Sequence, residues 1–302
     1  MGAQLRVVKR RIRSVQSTKK ITRAMELIAS SRIVKAQQRV EQSRPYAIQL
    51  TKAMEDVARH AASLSHPLLD PHETPARAGV LVITSDRGLA GAYTANVIKI
   101  GESLLADARA RGMDPVLYVV GKKGFGYFRF RQIAMEADWQ GFSEVPPYEK
   151  AEQIGRRLIE DFGSGRIDEL ACAYTDFRSA FTQRATSQRF LPISPEEVAG
   201  TGAAAPGGEV HAEYLFEPEP EQILDHLLPQ YLITRVYAAL LESAASENAA
   251  RRRAMKAATD NAEELIKILT RQANRARQDE ITTELMEIVS GAEALASVGE
   301  KG

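Results

Sequence analysis

The chain has 302 residues, 44% hydrophobic, 26% charged and 6% aromatic, which fits one large or two ordinary folded domains and excludes a low-complexity chain. No run approaches the ~18 apolar residues of a membrane-spanning helix, and a single cysteine excludes a disulfide within the chain. The net charge of +1 hides an asymmetry: residues 1–44 hold twelve Lys and Arg against Glu26 and Glu41 and carry +10, leaving −9 for the remainder. A positive helix of that kind points to an acidic partner or a nucleic acid.

Ala3 to Arg44 contains no Gly or Pro. Its apolar residues Leu5, Val8, Ile12 and Val15 are spaced as one helical face, and Ile21, Met25 and Ile28 are expected to resume it. The Arg-rich, acid-poor start superficially fits a targeting segment, but the same pattern continues past Arg39, so it reads as helix. Pro45 is expected to bend that helix; the pattern returns with Leu50, Met54 and Val57 and stops near His66-Pro67. Residues 68–78 read as a linker.

The period then changes. Gly79 to Thr84 and Pro115 to Val120 are short, nearly all-apolar runs with a helical stretch, Ala92 to Arg111, between them. That order predicts a parallel βαβ unit buried on both faces. Tyr148 to Phe162 reads as a further helix, Leu170 to Tyr174 as a strand enclosing a buried Cys172, and Gln188 to Ile193 as an edge strand. Ala199 to Gly208 is low-complexity. From Gln230 to Ser290 the chain runs 61 residues without Gly or Pro, roughly 90 Å if wholly helical. Pro229 is expected to disturb only its first turns. Ten alanines fall between Ala238 and Ala262, either to admit a close partner helix or because alanine is the best helix former. Leu265, Leu269, Ile281, Leu285, Ile288, Ala292 and Leu295 restore coiled-coil spacing.

The expected fold class is therefore α/β: a long antiparallel coiled coil of N- and C-terminal helices plus a Rossmann-like domain with a mostly parallel sheet. The divisions are 1–66 for the N-terminal helix, 67–198 for the α/β domain, 199–217 for a flexible connection and 218–302 for the C-terminal helix.

No catalytic centre emerges. Ser85-Asp86-Arg87-Gly88-Leu89-Ala90-Gly91 follows a strand but lacks the first glycine of the dinucleotide fingerprint, and the second strand ends in Gly121-Lys122-Lys123 where a ribose-binding acid is wanted. The bland reading is a tight turn with Asp86 capping nearby amides. Gly121-Lys122-Lys123-Gly124-Phe125-Gly126 does not match a phosphate loop and reads as a strand-end turn. The five histidines have no metal-ligand spacing; no cofactor or metal is expected. The basic runs Lys9-Arg10-Arg11, Lys19-Lys20 and Arg251-Arg252-Arg253 suit a solvated helix face, a phosphate backbone or acidic loops of a protein partner. A salt-dependent nucleic-acid binder and a nucleotide-dependent α/β enzyme are the competing functional classes.

Four segments converge on one family. Ser17-Thr18-Lys19-Lys20-Ile21-Thr22-Arg23-Ala24-Met25-Glu26-Leu27 resembles the N-terminal signature of the gamma subunit of F-type ATP synthase. Thr84-Ser85-Asp86-Arg87-Gly88-Leu89 is similar to its central motif, Ala254-Met255-Lys256-Ala257-Ala258-Thr259-Asp260-Asn261 to its late one, and Arg277-Gln278, Ile281-Thr282 and Glu287-Ile288-Val289-Ser290-Gly291 to its closing signature. They lie in the family's order across the chain. Ala90-Gly91-Ala92-Tyr93-Thr94 departs from the usual Cys-Gly-Gly-Leu-Asn, and Cys172 alone excludes the thiol switching of chloroplast members.

The resemblance implies a bacterial rotor shaft, one copy per complex, without nucleotide sites of its own. Its implied partners are the alpha and beta subunits, the epsilon subunit and the c-ring, with no nucleic acid and no membrane span. The implied location is peripheral, on the cytoplasmic face of the cell membrane. By motif, Met25, Arg251, Gln278 and Thr282 are expected to contact the alpha/beta ring, Leu285, Ile288, Val289, Ala292 and Leu295 to form an apolar bearing tip, and Phe216 and Glu217 to meet the c-ring.

Overall fold

The computed structural model describes residues 3–60, 66–72, 74–179, 181–194 and 220–299, with side chains at all of these except 3, 58–60, 220–221 and 293–299. Phe216, Glu217 and the Ala199–Gly208 stretch lie outside the described residues. In chain order the elements are α1 (Ala3–His60), β1 (Arg77–Ile83), α2 (Tyr93–Ala110), β2 (Asp114–Val120), α3 (Lys122–Phe130), β3 (Ala137–Trp139), α4 (Tyr148–Gly163), β4 (Glu169–Phe177), β5 (Gln183–Leu191) and α5 (Pro220–Gly299). Residues cluster into two units, 1–28 with 252–302 and 29–251, and both long helices run through the division.

Within 29–251 the five strands form one sheet of order β3-β2-β1-β4-β5. Strands β3, β2, β1 and β4 are parallel, and β5 returns antiparallel beside β4. The all-apolar runs are explained by burial on both faces. Leu81 and Ile83 point into a cluster with Ile154, Leu158 and Phe162 of α4, Met54 of α1 and Leu232 of α5. Val80 and Val82 point to the other side, against Val97 and Leu105 of α2 and Phe128 of α3. Alternate residues of a strand face opposite ways, so a strand covered on both faces must be apolar throughout. Helices α4 and α5 approach closely because position 155 is glycine: a Cβ there would lie 2.6 Å from Ile233.

Pro45 lies inside α1, which runs as one helix from Ala3 to His60. Helix α5 starts at Pro220, where a first-turn proline is favourable, and Pro229 lies inside it near its N-terminal end. Other expectations need correction. Gly121 to Gly126 is not merely a turn: Lys122–Phe130 is helix α3. Its two glycines disfavour helix locally, but burial of Phe128 and two amide anchors described below outweigh that cost. Strand β3, three residues long, falls below what alternation can reveal.

Within residues 1–28 and 252–302 the two helices pair antiparallel. Thr22 and Thr259 share a buried hydroxyl hydrogen bond of 2.7 Å, and Lys19 reaches Glu263 at 3.0 Å. On α5 the covered positions include Met255, Thr259, Ala262, Ile266, Leu269, Ala273, Ala276 and Glu280, an alternating 4-3 seam. On α1 the seam follows Leu5, Val8, Ile12 and Val15 as expected, then Lys19, Thr22 and Glu26. Ile21 and Ile28 are off it, 60% and 53% exposed. The expected continuation through Ile21 and Ile28 followed apolarity onto a different face of the helix.

Candidate functional site

Open α/β sheets bind ligands beyond the carboxyl ends of their strands, where the strand order reverses. Here the order reverses between β1 and β4. The turn after β1 is organised by Asp86, whose carboxylate accepts the amides of Gly141 and Ser143 at 2.8 Å and of Lys122 at 3.0 Å. Burial alone would raise its pKa, but these amides together hold the carboxyl below its usual range. Thr84 Oγ1 donates to the Val120 carbonyl at 2.7 Å and accepts the Gly124 amide at 2.9 Å. Gly121, at φ 96°, closes this junction, since a Cβ there would lie 2.5 Å from the Thr84 carbonyl oxygen. Amides at the start of α3, the groups that would cradle a phosphate, are thus engaged by Asp86 and Thr84. Asp86 acts as the amide cap expected of the bland reading.

The crevice between β1 and β4 receives α5. Ser243 Oγ accepts the Thr175 amide at 3.4 Å, and Ser246 Oγ donates to the Thr175 carbonyl at 3.3 Å. Residues 243–249 are all buried, although a helix normally covers only one face. Arg251 donates to Glu247 Oε1 at 2.5 Å and lies 3.2 Å from Glu144. Glu144, just before α4, is also bonded by Arg32 of α1 and lies 3.5 Å from Arg87. Burial pushes the Glu247 carboxyl up while Arg251 opposes it; burial, and then the Glu247 charge, raise the Tyr93 hydroxyl beside it. The place where this architecture usually admits a small molecule is filled by a helix of the same chain, locked by a buried ion network.

These contacts revise one expectation. Arg251 was expected to grip a partner, but it is only 5% exposed and its guanidinium is committed to Glu247 and Glu144. It holds α5 against the turn that follows β1. Ser143, Glu144 and Glu247 were missed by sequence reasoning. Their signal is contact across the chain, with 112 positions separating Arg32 from Glu144, and no local motif carries it.

The other residues expected to meet the ring or form the tip lie in the unit of paired helix ends. Met25 is half-buried; Gln278 and Thr282 are exposed, with Thr282 Oγ1 bonded to the Gln278 carbonyl at 3.0 Å. Every residue from Ile281 to Ala292 is exposed, including Leu285 at 57% and Ile288 at 67%. The Leu295 side chain is outside the described residues. Leu265 is also exposed, so the seam passes through Ile266 instead. Among the described residues no group of three or more His, Cys, Asp or Glu could hold a metal ion, and no helix is long and apolar enough to cross a membrane. Cys172 is fully buried, and burial raises its thiol pKa.

Fold and site together define a class: an α/β domain that seats a helix of its own chain in its ligand crevice, in a protein whose paired helix ends display apolar surface. The family model described as ATP synthase matches residues 4–295. The ATP synthase gamma chain of Acidothermus cellulolyticus is 53% identical over 305 residues, covering all of both chains. That of Mycolicibacterium smegmatis is 52% identical over 98% of this chain and 99% of its own. A central-stalk/c-ring structure of Tetrahymena thermophila mitochondrial ATP synthase superposes with a TM-score of 0.56 at 25% identity, covering 79% of this chain and 99% of that one. An Euglena gracilis mitochondrial ATP synthase chain shares the fold over 100% of this chain and 97% of its own, with a TM-score of 0.67 at 18% identity. The chain belongs to the ATP synthase gamma-chain family.

Proposed function

We propose that this subunit is the shaft that couples proton-driven rotation of a c-ring to conformational cycling in a ring of alpha and beta subunits. It is non-catalytic in this reading, with the nucleotide sites on the partners. One asymmetric shaft inside a ring of three equivalent pairs cannot contact all three identically, so each site is biased toward a different state and rotation exchanges the states. The observation that carries the proposal is the run from Ile281 to Ala292, exposed on all sides with large apolar residues. A surface of that kind calls for a surrounding partner.

Leu285, Ile288, Val289, Ala292 and Leu295 suit a bearing because apolar contact is non-directional and leaves few angle-dependent bonds to break. Gln278 and Thr282 supply polar grip, Met25 contacts the ring from α1, and the exposed Ile21 and Ile28 extend that contact face. Phe216 and Glu217 are assigned to the c-ring on motif alone. The filled crevice supports the non-catalytic reading, and internal pairing of Lys19, Arg23 and Arg32 with carboxylates leaves less of the basic helix for a nucleic acid. The remaining assignments are an epsilon partner, one copy per complex and a peripheral position on the cytoplasmic face of a bacterial membrane. Inverted membrane vesicles carrying Gln278→Ala/Thr282→Ala test the grip: fewer protons pumped per ATP hydrolysed are expected, and an unchanged ratio removes both residues from the proposal.

A further inference from the structure

Within residues 29–251 a small cavity of ≈ 30 Å³ lies between α1, α5 and the loop before α4. Its charged lining is Arg32, Lys35, Arg39 and Glu144, over an apolar floor that includes Leu241 and Ala244. Positions 32, 35 and 39 share one face of α1 by helical spacing. Glu144 is the single acid of the lining, and its charge is already answered: Arg32 bonds one oxygen, with Arg87 3.5 Å away, and Arg251 lies 3.2 Å from the other. Among the described residues no carboxylate is paired with Lys35 or Arg39. The cavity therefore carries excess positive charge beside an apolar floor, with Lys35 exposed and Arg39 half-buried.

We propose that this cavity binds a small inorganic oxyanion of the size and charge of phosphate, held by Lys35 and Arg39 with Arg32 closing one side. Guanidinium and ammonium groups on adjacent turns suit tetrahedral oxygens. The volume admits a few atoms and no nucleobase, so recognition is of the phosphate group itself. A bound anion would relieve the repulsion among the like charges that α1 carries on successive turns of this face.

Titrating the full chain with inorganic phosphate tests this, with thermal melting and ³¹P NMR line broadening as readouts and sodium chloride at equal ionic strength as control. A saturable rise in melting temperature is expected with phosphate and none with chloride. Lys35→Gln/Arg39→Gln is expected to weaken apparent affinity by roughly tenfold or more, the loss of one charge-assisted hydrogen bond or two. Arg39→Lys, which keeps the charge, falls between. The NMR arm needs no variant: sulfate restores the sharp phosphate line and chloride does not. An ADP arm separates the sources: the free ion expects no competition by ADP, and competition by ADP would overturn that assignment in favour of a phosphate ester. An equal response to chloride, an unsaturated response, an undiminished response in the double variant, or binding of an acidic peptide without binding of phosphate each overturns the proposal.

Discussion

Two stretches of α5 meet opposite fates. From Ala239 to Ala249 no residue is exposed, whereas from Ile281 to Ala292 every residue is. The first is rich in Ala and Ser, and the second carries Ile, Leu, Met and Val. Apolarity alone therefore predicts the reverse of what is found. Small side chains let the first stretch sink on all sides into a domain of its own chain, with Ser243 and Ser246 bonding to β4 as they enter. Bulky apolar side chains in the second are left uncovered among the described residues, which is the property of a surface made for another molecule. Burial here measures which helix segment serves folding, and exposed apolarity measures which serves assembly.

The sharpest way to break the contrast is to remove a charge from the socket. Arg251→Met leaves Glu247 buried without its partner and is expected to cost about 3–5 kcal/mol, the usual penalty for breaking a buried pair from one side. Thermal unfolding of the full chain reads this, and a loss below ~1 kcal/mol would mean that the network does not hold the helix. Asp86→Ala comes next. It strips the acceptor from three amides and should destabilise by roughly 2–3 kcal/mol. Because the Asp86 carboxyl is held below its ordinary value, its contribution is present above that value and is lost as pH falls through the depressed one. The parent should therefore lose more stability on acidification than Asp86→Ala does.

Smaller effects test the paired helix ends. Thr22→Val alone removes one partner of Thr259 Oγ1, which keeps its bond to the Met255 carbonyl at 2.9 Å, and should cost about 0.5–1.5 kcal/mol, while Thr22→Val/Thr259→Val together should cost less than the sum of the two single changes. An additive loss would show that the two hydroxyls are not coupled. Glu242 gives the weakest and most pH-specific signal. Burial, and then the Asp176 charge, push its carboxyl from 4.5 up to about 7, so the folded chain holds that proton more tightly than the unfolded one. Its contribution is full below 4.5 and is lost as pH rises through about 7. Glu242→Gln should flatten that part of the melting profile by roughly 1 kcal/mol after allowing for partial solvent screening.

The contrast also explains what the sequence could disclose. Alternation and all-apolar runs marked β1, β2, α2 and α4 because their patterning answers to burial on a sheet, and Leu5-Val8-Ile12-Val15 marked the start of the seam. The seam was lost at Lys19, Thr22 and Glu26 because its buried positions there are polar, while Ile21 and Ile28 on another face are apolar. Two purposes are written on one helix, and hydrophobicity cannot tell them apart. Helix α3 was hidden by its glycines, of which Gly124 is placed for contact with Thr84, where a Cβ would lie 2.6 Å from the hydroxyl oxygen. The socket was invisible for a different reason: Glu144, Glu247 and Arg251 are ordinary charged residues until folding brings them within about 3 Å.

The most direct measurement pairs melting of the full chain with ATP-driven proton pumping by the assembled enzyme, both carrying Ile21→Asp/Ile28→Asp. If the exposed face serves assembly, melting stays within about 0.5 kcal/mol of the parent and protons pumped per ATP hydrolysed fall. If melting collapses while pumping per ATP is unchanged, Ile21 and Ile28 belong to the fold, and the division between folding and assembly surfaces is wrong.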